Sequence, residues 1–527
     1  MSPVNFNKQI NLSVYSPHSK IILKFPFHHL VRPMKICLTA IFALFTISLS
    51  FSQQGIPTDY LSAEFHKGRR EALREKMPEN SVAVFFANAI RNRANDVDYI
   101  YHQDPDFYYL TGYKEPNAVL VIFSEDRVNT SGKSYNEILY VQEKNARAEQ
   151  WNGYRLGTEG AKTKLGFETA FNGKEFLNSG IDYSSFDKIL YKEFADDYRN
   201  DPRDKADLFD LVETFKAQTG YYLQEGQEID TPQNKELNTP ASLPNKRANL
   251  DARILKNSMA ELREIKSPEE MVLLTKAIRI SAMGQREIMK AMHPNMSETE
   301  IQGIHEFVYK KYGSEFEGYP SIVGAGNNGC VLHYIENNKL KVGNELVLMD
   351  LGAEYHGYTA DVTRTIPANG KFTPEQKAIY DLVYEAQEAG IAAAVVGQPF
   401  GVTDMAARKV INEGLVKLGI VKTEAEARKY FPHGTSHHIG LDVHDPGKYE
   451  TFEANMVITV EPGIYIPEGS DCDPKWHGIA VRIEDDILIT PNGPVNLSAE
   501  APRRSEEIEA LMKEKSVLSD YNLPVLD

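Results

Sequence analysis

The stretch from Glu345 to Thr365, ELVLMDLGAEYHGYTADVTRT, constrains the fold and chemistry of this chain more than any other. An apolar run ends in Asp350, and after a Gly-containing connection a second run carries Asp361 among Thr and Val residues. Both runs predict β-strands. Two carboxylates that close a buried strand pair would protonate unless a cation meets them, because burial disfavours an unpaired charge. The stretch alone fits a metal site or an ion-paired hairpin with surface acids.

A second pair of predicted strands repeats this arrangement. The segment VITVEPG places Glu461 directly after an apolar strand, and IAVRIEDD predicts a strand that carries Arg482 and Glu484 on one face. The chain thus presents one acid per strand on two similar hairpins. If the two hairpins are related halves that face each other, Asp350 and Asp361 would meet Glu461 and Glu484 at one point.

Histidines near these acids indicate what the acids do. The segment FPHGTSHHIGLDVHD carries His433, His437, His438 and His444, and His333 lies in the separate run NNGCVLHY. The spacing matches neither the helical His-Glu-x-x-His of zinc peptidases nor a Cys/His finger. Four carboxylates with one imidazole would form an oxygen-dominated site, which suits Mn²⁺ or Mg²⁺. Such a site also carries enough charge for two divalent ions, as in two-metal hydrolases.

Helix signals surround these predicted strands. Ser267, Ser297 and Thr373 each begin a capping pattern that precedes an amphipathic run, and a fourth helix is predicted from Thr403 to Leu418. Helices that alternate with antiparallel hairpins predict an α+β domain, with the helices packed on one face of a curved sheet. The polar stretch 197–249 is interpreted as surface insertions and a linker.

The motifs MDLGAEYHGYTADVTRT, HGTSHHIGLDVHD, VEPG and RIEDD, in this order, resemble the pita-bread metallopeptidases of family M24. Within them the chain is similar to the Xaa-Pro aminopeptidase (aminopeptidase P) and prolidase branch. Two segments of the first part, QDPDFYYLTGYKEPNAVLV and WNGYRLG, resemble the aminopeptidase P pattern, so the resemblance extends from about residue 60 to 500. It implies a pita-bread α+β catalytic domain with a smaller creatinase-like α/β N-terminal domain.

The resemblance also implies a metal site. The metal ligands it implies are Asp350, Asp361, His437, Glu461 and Glu484. Asp361 and Glu484 would bridge two divalent ions, for which Mn²⁺ is expected. Glu461 would also accept a proton from the attacking water and pass it to the leaving prolyl nitrogen.

Further site residues come from the same resemblance. His333 and His444 are expected to hydrogen-bond the substrate and the tetrahedral intermediate. The substrate-binding side chains would be His433, Arg482 and Tyr108. Tyr108 departs from some bacterial relatives, which have a Trp at this position.

The expected function is a metal-dependent aminopeptidase that releases the N-terminal residue from peptides with proline in second position. Prolidase activity on Xaa-Pro dipeptides is an alternative, because Arg482 could hold the free carboxylate of a dipeptide. A non-catalytic pita-bread binding module is a remote alternative, since all five ligand positions are filled. The expected partners are peptide substrates and further copies of the chain in a dimer or tetramer.

Charge and cysteine content exclude other classes. The 58 Lys and Arg against 74 Asp and Glu give a net charge of -16, which argues against a nucleic-acid partner because phosphate binding needs a basic surface. The three Cys residues cannot form a disulfide framework or a thiolate zinc site.

The N-terminus resembles a targeting segment, since the first acidic residue is Asp59. Arg32 and Lys35 precede the apolar run Ile36 to Leu49, which is typical of a secretory signal peptide at about 34–52. We expect export to the periplasm or medium with no membrane span in the mature chain. A membrane anchor, an organelle transit peptide and a cytoplasmic protein are alternatives.

The predicted organisation has four parts. They are the leader 1–53, an N-terminal aminopeptidase P-like domain and linker 54–250, a pita-bread catalytic domain 251–500 and a C-terminal tail 501–527.

Overall fold

The helix start signals begin helices at the expected residues in the computed structural model, which describes residues 59–223 and 249–519. The side-chain oxygens of Ser267, Ser297 and Thr373 each accept a hydrogen bond from the backbone N–H three residues further on. These caps satisfy donors that the first helical turn leaves without a partner. The predicted leader and signal peptide lie outside the described residues.

Twelve α-helices are defined in this part of the chain. They are α1 (Ala63–Lys76), α2 (Pro105–Thr111), α3 (Ala146–Asn152), α4 (Gly157–Leu165), α5 (Gly173–Phe176), α6 (Leu208–Thr219), α7 (Ala252–Glu264), α8 (Pro268–Ala291), α9 (Glu298–Lys311), α10 (Pro374–Ala393), α11 (Val402–Lys417) and α12 (Ser505–Leu511). None of these described helices has both the length and the hydrophobicity that a membrane span requires.

The strands of the same residues alternate with these helices. They are β1 (Ser81–Phe86), β2 (Asn92–Ala94), β3 (Val97–Asp98), β4 (Val119–Val128), β5 (Ser134–Val141), β6 (Ala170–Asn172), β7 (Lys188–Tyr191), β8 (Leu250–Asp251), β9 (Phe316–Glu317), β10 (Ile322–Ala325), β11 (Leu346–Asp350), β12 (Ala353–Tyr355), β13 (Tyr358–Thr359), β14 (Thr363–Pro367), β15 (Val457–Val460), β16 (Gly463–Ile466), β17 (Ile479–Arg482), β18 (Asp485–Thr490) and β19 (Gly493–Asn496).

The N-terminal part is built on one six-stranded mixed sheet with the order β6-β5-β4-β1-β7-β8. Its central strand β1 pairs antiparallel with β4 and parallel with β7. The described part of the stretch 197–249, which was expected to form surface insertions and a linker, holds α6. Residues 224–248 of that stretch lie outside the described residues. Leu211 and Phe215 of this helix are fully buried against the sheet core, so their apolar spacing outweighs the polar composition around them.

The C-terminal part contains two similar strand arrangements. In the first, β11 pairs antiparallel with β14, and the chain between them forms the short pair β12 and β13. In the second, β15 pairs with β18, and the chain between them forms β16 and β17. The inner and outer pairs of each arrangement belong to different sheets. The predicted curved sheet is therefore divided into small sheets, and the chain changes sheet twice within each arrangement.

The helices of this part pack on those strands. One core cluster joins Met289, Ile304, Ile379 and Ile411 of α8 to α11 to apolar residues of β11, β16 and β17. The α+β arrangement predicted from alternating helices and hairpins is thus observed.

The two predicted domains share a second core cluster. It packs Phe107 and Tyr109 of α2 against Leu273 and Ile278 of α8 and against Tyr358 of β13. The N-terminal sheet domain is therefore packed on β13, the strand that precedes Asp361.

Candidate metal centre and active site

The four predicted acids lie where the chain passes from one small sheet to the next. Asp350 is the last residue of β11, and Asp361 lies between β13 and β14. Glu461 lies between β15 and β16, and Glu484 lies between β17 and β18. The prediction that Asp361 and Glu484 are carried within strands is wrong, because each lies in the connection where the chain changes sheet. The four equivalent crossings bring one acid each to the junction of the two halves.

Three of the predicted ligands form a tight buried group. One ligand atom from each of Asp361, His437 and Glu484 lies within 4.8 Å of the others. His437 Nε2 is 3.5 Å from Asp361 Oδ2 and 3.6 Å from Glu461 Oε1. The Tyr319 hydroxyl lies 2.5 Å from Asp350 Oδ1 and 2.7 Å from Asp361 Oδ1, which connects Asp350 to the same group. All five predicted ligand positions therefore converge.

The electrostatics of this group favour a cation. Burial raises the pKa of Asp361 and of Glu484 well above the usual carboxyl range, and repulsion from nearby acids such as Asp350 raises both further. Burial also raises the pKa of Glu461, although His437 and Arg482 oppose this. A divalent ion would stabilise the ionised carboxylates against both effects. Four carboxylates and one imidazole suit such an ion well.

Two histidine rings lie side by side next to the acids. The rings of His437 and His444 are stacked, with centroids 4.0 Å apart and 15° between their planes. His437 Nδ1 donates to the backbone carbonyl of His438 at 3.0 Å, which leaves its Nε2 to face the carboxylates. Burial lowers the pKa of His444 to about 4, so this ring is neutral at pH 7.

A cavity of about 780 Å³ opens onto the acids. It is lined by eleven polar residues, nine of which were predicted from the sequence. These eleven are Tyr319, His333, Asp350, Asp361, His433, Ser436, His437, His444, Glu461, Arg482 and Glu484. Apolar side chains, among them Leu332, Ile335 and Val443, complete the wall. A cavity with convergent carboxylates and histidines beside an apolar wall is a candidate active site.

Two family models match the chain in order. The model of the aminopeptidase P N-terminal domain matches residues 66–182, and that of metallopeptidase family M24 matches residues 272–491. The Xaa-Pro aminopeptidase of Escherichia coli is 36% identical over 470 residues, which are 86% of this chain and 98% of that protein. This chain belongs to the aminopeptidase P family of M24 metallopeptidases.

Other relatives agree with this family. Human Xaa-Pro aminopeptidase 3 is 31% identical over 85% of this chain and 84% of its own length. A solved structure of E. coli aminopeptidase P with the inhibitor Pro-Leu superposes with a TM-score of 0.73 at 35% identity, and the match covers 86% of this chain and 98% of that one. The predicted pita-bread fold with its N-terminal domain is thereby confirmed, as is the class of metallo-exopeptidase. Membership of M24 also implies bound metal ions.

Tyr108 lies elsewhere in this aminopeptidase P family member. The side chain is buried and lines a separate cavity of about 140 Å³, together with His102, Lys114 and Glu354. The cavity at the acids does not include it. Its expected contact with substrate stays a prediction.

Tyr319 and Thr363 belong to the site but were not found from the sequence. The Thr363 hydroxyl donates to Glu484 Oε2 at 2.6 Å, and Tyr319 lies against two acids as described above. Gly352 makes room for Tyr319, because a Cβ at this glycine would lie 2.6 Å from the Tyr319 ring and 2.1 Å from the carbonyl oxygen of Ala360. Tyr319 precedes a proline and does not belong to a periodic pattern of apolar residues. Only its closeness to a strand that carries a metal ligand could have indicated it.

Arg482 is held by its neighbours at the edge of the site. Its Nη2 donates to Asp350 Oδ2 at 2.5 Å, and its Nη1 donates to the Tyr465 hydroxyl at 3.0 Å. The Tyr465 hydroxyl also lies 2.8 Å from His433 Nε2. Arg482, Tyr465 and His433 thus form one hydrogen-bonded row along the cavity.

Proposed function

We propose that this chain is a dinuclear metal-dependent aminopeptidase that releases the N-terminal residue from peptides with proline in second position. The observation that carries the proposal is the convergence of Asp350, Asp361, His437, Glu461 and Glu484 on one cavity in a member of the aminopeptidase P family. The named relatives that cover most of the chain, from E. coli and human, are Xaa-Pro aminopeptidases.

The proposed mechanism assigns separate tasks to the side chains. Divalent ions, when held by the five ligands, polarise the scissile carbonyl and lower the pKa of water at the site. Glu461 is partly exposed to the cavity, so it is placed to accept the proton of the attacking water and to deliver it to the prolyl nitrogen. The neutral ring of His444 and the exposed ring of His333 would hydrogen-bond the substrate carbonyl as negative charge develops on it.

The bond to be cleaved sets one condition on the site. An Xaa-Pro bond is a tertiary amide without an N–H, so a site that needs no donor from the scissile amide suits it. Arg482 donates to Asp350 and Tyr465, which weakens the case that it holds the free carboxylate of a dipeptide. We therefore favour longer peptides over Xaa-Pro dipeptides as substrates.

Assays of matched peptides test this choice. The purified protein is incubated with Xaa-Pro dipeptides and with Xaa-Pro-Yaa peptides of the same Xaa, and release of free Xaa is followed. We expect a higher kcat/KM for the longer peptides. Hydrolysis restricted to dipeptides would establish prolidase activity instead.

We propose that the site holds two ions and that Mn²⁺ is the activating metal. Support comes from the number of carboxylates, which supply more negative charge than one divalent ion balances, and from the oxygen-rich ligands. Metal analysis of protein reconstituted in Mn²⁺ should give about two ions per chain. Asp361→Ala, which removes the predicted bridging ligand, should lower that content.

We propose that the protein is exported. The acid-free leader with its apolar run Ile36 to Leu49 supports this destination. N-terminal sequencing of the protein from the cell envelope or medium should find a start near Gln53. A soluble cytoplasmic form that retains Lys35 would contradict export.

We propose a homo-oligomer, a dimer or tetramer. Trp151 and Tyr154 are 81% and 94% exposed on the N-terminal domain, and large exposed aromatic side chains favour protein contacts. The molar mass in solution, measured by light scattering, should be a multiple of the chain mass. Trp151→Ser with Tyr154→Ser should lower it if these side chains lie in the interface.

A further inference from the structure

Four buried charged side chains connect the N-terminal domain to the loop that carries His437 and His444. Asp106 lies on α2, Arg263 lies on α7, Lys266 follows α7, and Asp445 directly follows His444. Arg263 Nη1 donates to Asp106 Oδ1 at 2.7 Å, and Arg263 Nη2 donates to Asp445 Oδ1. Lys266 Nζ donates to Asp445 Oδ2 at 2.9 Å. We call these four residues the buried quartet.

The buried quartet contains two acids and two bases and is almost free of solvent, and Lys192 Nζ lies 3.4 Å from Asp106 Oδ2 at its edge. The side chains of Arg263, Lys266 and Asp445 are at most 4% exposed, and that of Asp106 is 13% exposed. Burying ions is costly, and apolar residues of similar size often stabilise a fold as well or better. Stability alone therefore does not account for the buried quartet, whereas a fixed position for Asp445 does.

Asp445 makes two hydrogen bonds within the loop that carries His437 and His444, which we call the histidine loop. Its Oδ1 accepts the backbone N–H of Asp442 at 3.2 Å, and its own backbone N–H donates to the carbonyl of His438 at 3.0 Å. The same His438 carbonyl accepts the Nδ1–H of His437. Through this shared carbonyl, the position of Asp445 determines the orientation of the His437 ring.

The close approach within this loop requires a glycine. A Cβ at Gly440 would lie 2.6 Å from Asp445 Oδ2 and 2.9 Å from Lys266 Nζ. Any side chain at this position would push Asp445 away from its two cations. The turn is thus built so that Asp445 and Lys266 meet directly.

We propose that Asp445 is a positioning residue for His437 and His444, and that Arg263 extends this support to Asp106. The N-terminal domain then helps to set the geometry of the metal ligand and of the substrate histidine stacked on it. Asp445 is directly bonded to His444 along the chain, and the two histidine rings are in contact. For His444, this inference rests on the proposed function. For His437, it rests only on metal binding.

The primary test uses Asp106, the member of the buried quartet farthest from the histidines along its contacts. Asp106→Asn keeps the side chain's shape but removes the charge that pairs with Arg263. We expect kcat for an Xaa-Pro-Yaa peptide to fall about tenfold and Mn²⁺ affinity to weaken by a similar factor, as is usual when the support of a metal ligand is lost. Asp106→Glu, which restores the charge, should recover part of both.

A matched control separates positioning from simple loss of stability. Glu137 is comparably buried inside the N-terminal domain, with 14% of its side chain exposed, and pairs with Arg70 at 2.9 Å and with Arg74 at 3.0 Å. Glu137→Gln removes a charge of the same kind without touching the histidine loop. We expect it to lower the melting temperature as Asp106→Asn does, with kcat and Mn²⁺ affinity within about twofold of wild type.

Equal kcat and Mn²⁺ affinity in Asp106→Asn and Glu137→Gln would overturn the proposal. Asp445→Asn is a second variant, but it leaves the buried charges of Arg263 and Lys266 with less compensation. If it does not fold, Asp106→Asn alone decides. If the wild-type protein does not hydrolyse Xaa-Pro peptides, the proposed function fails. In that case the Mn²⁺ titrations of Asp106→Asn and Glu137→Gln alone decide on the positioning of His437.

Discussion

Gln285 and Gln387 make matching hydrogen bonds in the two halves of the catalytic fold. The Gln285 side chain reaches from α8, where its Nε2 donates to the carbonyls of Met349 at 3.1 Å and Val362 at 2.8 Å. Met349 directly precedes Asp350, and Val362 directly follows Asp361. Gln285 therefore connects the two chain segments that present the first acid pair.

The Gln387 side chain does the same from α10. Its Nε2 donates to the carbonyl of Val460 at 3.1 Å and to Asp485 Oδ2 at 2.9 Å. Val460 directly precedes Glu461, and Asp485 directly follows Glu484. Both glutamines are fully buried, so each fixes the spacing of one acid pair without competition from water.

This arrangement predicts that Gln285→Met weakens metal binding. Methionine has a similar volume but donates no hydrogen bond, so the segments before Asp350 and after Asp361 lose their common partner. We expect Mn²⁺ affinity, measured by calorimetry, to fall about tenfold or more. Gln218→Met in α6, which replaces a helical glutamine that is only partly buried, should leave the affinity unchanged. Unaltered Mn²⁺ binding in Gln285→Met would remove this role.

Glu461→Gln separates proton transfer from metal binding. Glutamine retains the shape and one carbonyl oxygen of Glu461 but cannot accept a proton. Even with saturating Mn²⁺, we expect kcat to fall about 10²–10⁴-fold, as is typical when a general base is lost.

The control for that experiment is His437→Ala with metal content measured on the same samples. This variant loses a ligand and keeps Glu461, so added Mn²⁺ should restore more of its activity than it restores to Glu461→Gln. If Glu461→Gln instead returns to wild-type turnover with saturating metal, Glu461 is only a ligand. His444 would then be the next candidate for the base.

His305 predicts a loss of stability in mild acid. The ring packs on Gly284 inside the core, and neither ring nitrogen has a hydrogen-bond partner among the described residues. Burial lowers the pKa of His305 from 6.5 to about 4. The unfolded chain therefore binds a proton on this side chain as the pH falls below about 6.5, whereas the folded chain does not until about pH 4. A tenfold difference in proton affinity is worth about 1.4 kcal/mol, so His305 removes about 3 kcal/mol of stability between these pH values.

His305→Leu should flatten this part of the pH dependence. The free energy of unfolding, measured by denaturant titration at pH 7 and pH 4.5, should differ less in the variant than in wild type. His293→Gln changes an exposed histidine just beyond α8 and serves as control. If the free energy of unfolding depends on pH equally in His305→Leu and in wild type, burial does not lower the pKa of His305 as described.

Local patterns in the sequence predicted a large part of this architecture. The apolar runs before Asp350 and Glu461 end in these acids, and the caps at Ser267 and Thr373 begin the helices, because both signals depend on neighbouring residues. The change of sheet at Asp361 and Glu484 was not predicted. The side-chain alternation typical of a strand continues through RIEDD, although β17 ends at Arg482.

Contacts between distant segments could not be predicted in this way. Tyr319 meets acids 31 and 42 residues away, and Arg263 meets Asp106 and Asp445 at separations of 157 and 182 residues. No local periodicity specifies such pairs. The family resemblance supplied the ligands and catalytic side chains, whereas the residues that orient them are visible only in the fold.

Hydrolysis of one peptide pair in the presence and absence of metal tests the account most directly. The purified protein is treated with a chelator and assayed on an Xaa-Pro-Yaa peptide and on the same peptide with alanine in second position, before and after Mn²⁺ is added. We expect release of Xaa from the proline peptide alone, its loss in the chelator-treated protein and its recovery with Mn²⁺. Full activity in a metal-free preparation, or equal cleavage of the alanine peptide, would contradict the account.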